Sequence, residues 1–260
     1  MISRIDIYGK FYMSFNFLTM LIVIILSLFS TREGLYYSYI PKRIGLIPIW
    51  FLQLYLYPSI ITSVYMFDIL IYNMLQLIIM QIKLLKSKIT TVSFEKTSCV
   101  QMRQIILKYH QHHMFLVRYT KRLNDTMALT FFVQLGITVI SLCSEIYILQ
   151  SKIDLSYGIN GVAYVAQSFF QIYVLYCKPC QDVSDQSMEI TDSLFGTDWY
   201  NSDNESLKKL FLMVMMKCSE PITISTFCGV YNINLMACVA VFKTTYSFYS
   251  FLNTVEAKEN

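Results

Sequence analysis

Five uncharged apolar stretches, each about as long as the ~20 residues a helix needs to cross a bilayer's hydrocarbon core, constrain this 260-residue chain more than any other feature. They occupy residues 11–30, 44–67, 126–144, 155–177 and 221–242. In lipid every backbone N–H and C=O must find its partner within the protein, which leaves helices or a closed barrel, and uninterrupted apolar runs of this length fit helices. Composition agrees. Hydrophobic residues make up 55% and charged residues 15%, where a soluble surface needs about a quarter charged. The predicted fold class is therefore all-α, a polytopic helical membrane protein with five spans. The second stretch runs on after Asp68 as an apolar pattern to Ile82. Wholly helical, residues 44–82 would extend about 58 Å at 1.5 Å per residue, so this helix is expected to cross the bilayer and continue into water, with Pro48 and Pro58 kinking its outer half. Asp68 and Glu145 fall near predicted span ends and read as boundary residues rather than proton relays.

Lysine and arginine set the orientation. The side holding the N-terminus collects fifteen, among them Arg4, Lys10 and the nine between Lys83 and Arg122, whereas the opposite side holds five: Arg32, Lys42, Arg43, Lys152 and Lys258. By the positive-inside tendency the N-terminus is cytoplasmic and the C-terminus extracellular. The chain then divides into residues 1–82, two spans and an extracellular loop; 83–125, cytoplasmic amphipathic helices; 126–177, the third and fourth spans; 178–220, a cytoplasmic loop and anchor helix; and 221–260, a final span with a short extracellular tail. The basic segment 83–125 carries Leu84, Leu85, Ile105, Ile106, Phe115 and Leu116 at helical spacing. The acidic residues from Asp182 to Glu205 suggest a solvated loop with one helical turn near 186–194. The apolar run at 11–30 exceeds a signal-peptide core and is read as a span.

Local motifs give no catalytic or metal chemistry. Cys177-Lys178-Pro179-Cys180 lacks a second pair or a histidine partner at zinc spacing, and His110, His112 and His113 lie beside Lys108 and Arg118 rather than carboxylates. There is no nucleophile elbow, no His-Glu-x-x-His and no phosphate-binding glycine loop. The expectation is a non-enzyme, without cofactor or metal. Asn124-Asp125-Thr126 and Asn204-Glu205-Ser206 match the glycosylation acceptor pattern, yet a cytoplasmic location leaves both unmodified.

Met216-Lys217-Cys218-Ser219-Glu220-Pro221, followed by the ending Lys243-Thr244-Thr245-Tyr246-Ser247-Phe248, resembles the closing signature of insect odorant receptors. In the family's order come aromatics with proline at residues 36–41 and 55–58, a glutamine-rich helix exit at 75–85, His110 or His113, Tyr176-Cys177, and Trp199-Tyr200. The family has seven membrane helices, and the five here resemble its third to seventh, so the chain is read as N-terminally incomplete. It lacks the long insertion that marks the shared co-receptor, which favours a ligand-tuning subunit. Gustatory receptors, the sister family, follow Thr-Tyr with Gln-Phe where Leu252-Asn253 stand here. A G-protein-coupled receptor would want Asp-Arg-Tyr and Asn-Pro-x-x-Tyr, and it carries its C-terminus inside. Both alternatives are disfavoured.

What the resemblance implies is direct gating. A volatile or lipophilic molecule enters a pocket in the outer halves of the helices, and the last helix opens a non-selective cation pathway shared by four subunits, including a co-receptor, in the dendrite membrane of olfactory neurons. Chosen by depth and residue type, the odorant-binding residues are Ile25, Phe29, Gln53, Tyr57, Ile60, Tyr164 and Gln167. Alignment of Thr245-Tyr246 with the family's last helix implies that Tyr249, Leu252 and Asn253 line the pore.

Overall fold

The computed structural model describes residues 10–14, 17–18, 20–21, 25, 46–92, 98–150, 155–226, 229 and 231–259. It is built from helices: residues 10–14 (α1), Leu46–Thr90 (α2), Cys99–Gln150 (α3), Leu155–Phe170 (α4), Lys178–Phe195 (α5), Glu205–Cys218 (α6) and Leu235–Glu259 (α7). The first expected span is helical wherever it is described, and much of it lies outside the described residues. Within α2 and α3 are apolar windows long enough to span a bilayer, and only 33% and 28% of those windows are buried. A soluble core helix would bury most of such a window; these leave it open to lipid.

Local chemistry explains the helix lengths. Pro58 lies inside α2, where it withdraws one backbone donor. Next to it Thr62 Oγ1 and Ser63 Oγ donate to the carbonyls of Pro58 and Ser59, at 2.7 and 2.8 Å. This back-bonding satisfies the two hydroxyls within the helix, whereas the carbonyl that loses its donor to Pro58 is that of Leu54, four residues back. α2 is unbroken over 45 residues, as its apolar pattern suggested. α3 is unbroken over 52, so the basic segment from Cys99 onward and the third expected span form one continuous helix, while residues 83–90 belong to α2.

Between α4 and α5 the chain stays helical but widens to a π-helix over Gln171–Cys177. Pro179, in the first turn of α5, supplies the cause. It cannot donate to the carbonyl four residues back, its ring crowds that carbonyl, and a wider turn relieves the crowding.

Two expectations are corrected. The acidic region beginning at Lys178 is an 18-residue helix rather than a solvated loop. Val183, Ser187, Ile190 and Leu194, at spacings of four, three and four, form its buried stripe, while the carboxylates occupy the remaining faces. The final helix starts at Leu235, not Pro221. Residues 221–226 are not helical, and the turn that follows takes Gly229 to φ 66, a conformation side-chain-bearing residues rarely adopt. Thr226 N–H donates to Tyr231 O at 2.8 Å and Ile233 N–H to Ile224 O at 2.8 Å. Within this run Ile222, Ile224 and Ile233 are buried in protein. α7 continues to Glu259, through the segment expected to be a tail.

The chain divides into two compact units. Unit 1 comprises Met1–Asn73, Ile137–Leu175 and Val241–Asn260. Its core gathers Tyr12, Tyr72 and Leu175, with Tyr65, Ile69 and Phe170 packed against them. Unit 2 comprises Met74–Gly136 and Tyr176–Ala240. There Leu75, Ile78, Ile82, Leu85 and Ile89 form a buried stripe on α2 at helical period, matched by Met102, Ile106 and Leu116 on α3 and by Leu207, Phe211 and Cys218 on α6. Ile222 N–H donates to the buried Ser187 Oγ at 2.9 Å, and Lys86 pairs with Glu189.

Candidate functional site

The expected ligand pocket falls in unit 1. Of its residues on α2, Gln53 is half-buried and Ile60 exposed, while Tyr57 lies in the helix with its side chain outside the described residues. On α4, Gln167 is half-buried and Tyr164 exposed; Ile25 is exposed, and Phe29 lies outside the described residues. What unit 1 visibly brings together lies further along the same two helices. Tyr12 Oη donates to Asp68 Oδ2 at 2.9 Å, and Gln171 Nε2 donates to the same oxygen at 2.6 Å. Asp68 is 0% exposed, which corrects its reading as a boundary residue. The Tyr12 ring is itself packed among aromatics: it stacks on Tyr65 and Phe170 with centroids 5.4 and 5.8 Å apart. Sequence reasoning singled out Asp68 but had no means of finding its donors, which are 56 and 103 residues away.

The expected pore residues lie on α7. Tyr249 is half-buried, its ring 6.3 Å from that of the exposed Tyr246. Leu252 and Asn253 are helical, with side chains outside the described residues. The inward side of α7 in unit 1 is fixed: Val241 and Thr245 are buried, the Cys143 thiol donates to Thr245 O at 3.6 Å, and Phe242 packs 4.7 Å from Phe169. Opposite it, Val239, Lys243, Tyr246 and Ser250 follow at spacings of four, three and four, all exposed. Sequence reasoning did not select this stripe, although its period was legible once the helix register was known.

Unit 2 carries features of another kind. His113 is 2% exposed, neither ring nitrogen has a hydrogen-bond partner, and burial lowers its pKa below the ordinary histidine value, aided by His110 and Lys217. Its imidazole is buried in the protein, and the lowered pKa favours the neutral form. Cys180 is also buried, and burial pushes its thiol up, with Cys177 adding to the effect; a thiol held protonated is a poor nucleophile and metal ligand. No group of three or more metal-ligating side chains occurs among the described residues. Both acceptor asparagines are engaged in structure. Asn124 Oδ1 accepts from Ser225 N–H at 2.9 Å and its Nδ2 donates to Ser225 Oγ at 3.4 Å. Asn204 caps α6 by accepting from the N–H groups of Ser206 and Leu207, and donates to Cys99 Sγ at 3.1 Å.

Long, lipid-open helices, a polar knot buried within unit 1 and a last helix with one fixed and one exposed side define the class: a polytopic helical membrane protein. The family model described as 7tm Odorant receptor matches residues 3–246, and the chain belongs to that family. Odorant receptor 10 of Aedes albopictus is 24% identical over 150 residues, covering 58% of this chain and 39% of the relative. Odorant receptor 46a, isoform B, of Drosophila melanogaster is 23% identical over 129 residues, covering 48% and 33%. The matched portion therefore spans less than half the length of either relative. The fold is that of the insect olfactory receptor OR5 from Machilis hrabei, with a TM-score of 0.81 at 14% identity over 98% of this chain and 67% of that one; the complex of that receptor with eugenol superposes with a TM-score of 0.80.

Proposed function

We propose that this chain is an odorant-binding, tuning subunit of a ligand-gated non-selective cation channel that works with a co-receptor in a heterotetramer. The observation that carries the reading is family membership over 244 of 260 residues, joined to a fold shared with a receptor solved with eugenol bound. The skew of basic residues supports a cytoplasmic N-terminus and an extracellular C-terminus, and the cell membrane of olfactory neuron dendrites is the matching location. Ile25, Phe29, Gln53, Tyr57, Ile60, Tyr164 and Gln167 are proposed to line the ligand pocket, and Tyr249, Leu252 and Asn253 the pore. Co-receptor contact is assigned to residues 83–125 and 207–216, which lie outside the spans yet expose Leu84, Phe115, Leu212, Met213 and Met216, the sort of apolar surface that partners cover.

The test is whole-cell recording from cells expressing the chain with and without the co-receptor, with eugenol and a panel of other volatiles as probes. The reading expects volatile-evoked cation current that needs the co-receptor and survives G-protein blockade. Current abolished by that blockade would overturn it.

A further inference from the structure

Asp68 is the one described acidic side chain buried completely within unit 1. A carboxylate removed from water is costly unless hydrogen bonds replace its hydration, and here a tyrosine and a glutamine from two other helical segments donate to a single oxygen. Three segments far apart in the chain thus converge on one atom: α1 through Tyr12, α2 through Asp68, and the helix after α4 through Gln171.

The position of Gln171 adds a second observation. It is the first residue of the π-helix, the only such segment among the described residues. A π-turn has looser hydrogen bonding than an α-turn and marks a place where a helix can change register at low cost. Helix period supplies the third. Positions 57 and 68 are three turns apart on one face of α2, and positions 164 and 171 are two turns apart on one face of α4 and its continuation. The proposed pocket positions therefore sit above the carboxylate on the two helices it ties.

We propose that Tyr12, Asp68 and Gln171 form a latch that holds the closed channel, released when a ligand between α2 and α4 shifts the π-segment so that Gln171 leaves the carboxylate. Asp68 acts here as a positioning residue. The latch rests on the channel reading given above; the tie itself does not.

Tyr12→Phe and Gln171→Leu each remove one donor while keeping the side chain's approximate size, and Asp68→Asn keeps an acceptor oxygen without the charge. The variants are expressed with the co-receptor and read in two ways. Amide hydrogen exchange over residues 171–177 is expected to quicken at least several-fold in Tyr12→Phe and Gln171→Leu, with the double variant showing less than the product of the two because both donors share one acceptor. Ligand-free cation current, normalised to surface protein, is expected to rise several-fold in the same variants and least in Asp68→Asn. Faster exchange with wild-type ligand-free current would overturn the latch and leave a structural tie. Unchanged exchange would overturn both latch and tie, whatever the current. Absence of any current from wild type and variants, even with eugenol and the volatile panel, would instead strike at the channel reading, and the exchange result would still decide the tie.

Discussion

Unit 2 is held by aliphatic stripes at regular helical spacing, whereas unit 1 is held by a handful of aromatic rings and a buried carboxylate. The proposed placement, with unit 1 in lipid and unit 2 largely in water, accounts for the contrast. In water, burying leucine and isoleucine drives helices together, and four helices of unit 2 each present such a stripe. In lipid that drive vanishes between helices, because the solvent is as apolar as the side chains, and association falls to close packing and interhelical hydrogen bonds. Unit 1 correspondingly leaves Leu52, Ile60, Leu70, Ile140, Phe248 and Phe251 exposed and places its polar contacts inside. The lesson is that exposed isoleucines and a buried aspartate within one unit are both ordinary once the solvent is named.

The sharpest way to break this comparison is to cut both units alike. Ile82→Ala, at a side chain 0% exposed in unit 2, should cost about 2–5 kcal/mol, whereas Ile60→Ala in unit 1, 60% exposed, should change stability by about 0.5 kcal/mol or less. Melting temperatures of the detergent-solubilised protein check the pair; equal losses would sink the distinction. Next in size, Ser187→Ala strands the buried Ile222 N–H and should cost about 1–3 kcal/mol, visible in the same assay. Asn204→Ala removes the cap of α6 and should cost about 1 kcal/mol. Endoglycosidase treatment of membrane-expressed protein should leave its mass unchanged, since Asn204 and Asn124 both face the cytoplasm in the proposed orientation; a glycan on either would invert it.

The smallest effect at neutral pH concerns His113. Its folded pKa lies below the unfolded value, so the unfolded chain takes up a proton before the folded one does. The stability it contributes is present above the unfolded pKa of about 6.5 and is lost as pH falls through the folded value. Melting temperature should therefore decline on acidification below about 6.5, and His113→Gln should flatten that decline. An unaltered pH profile in the variant would assign the acid sensitivity elsewhere.

Much of this was legible in the sequence, and the failures have physical causes. Residues 44–82 read as one long helix because the apolar pattern runs on through Pro48, Pro58 and Asp68. The helix at Lys178–Phe195 was hidden because carboxylates are interleaved with its buried stripe, and Ser187, which is 0% exposed, does not look apolar. The run 221–233 was misread as part of the last helix because its apolar side chains, buried here in protein, are the ones a lipid-facing helix would also carry. Glu220-Pro221 marked a start, but Gly229, which permits the turn, was the sign that the helix had not yet begun. Of the candidate site, Asp68 was visible as a charge in an apolar helix, whereas its partners depend on packing that one sequence does not reveal.

Recording from excised patches bathed without GTP tests the central claim most directly, since a channel gated by its own ligand needs nothing from the cytoplasm. In patches carrying this chain and the co-receptor, a volatile that evokes current in whole cells should open cation conductance within the patch, with ion selectivity altered by Tyr249→Val or Asn253→Leu and odorant rank order intact. Loss of the response on excision, with restoration by GTP, would contradict the account.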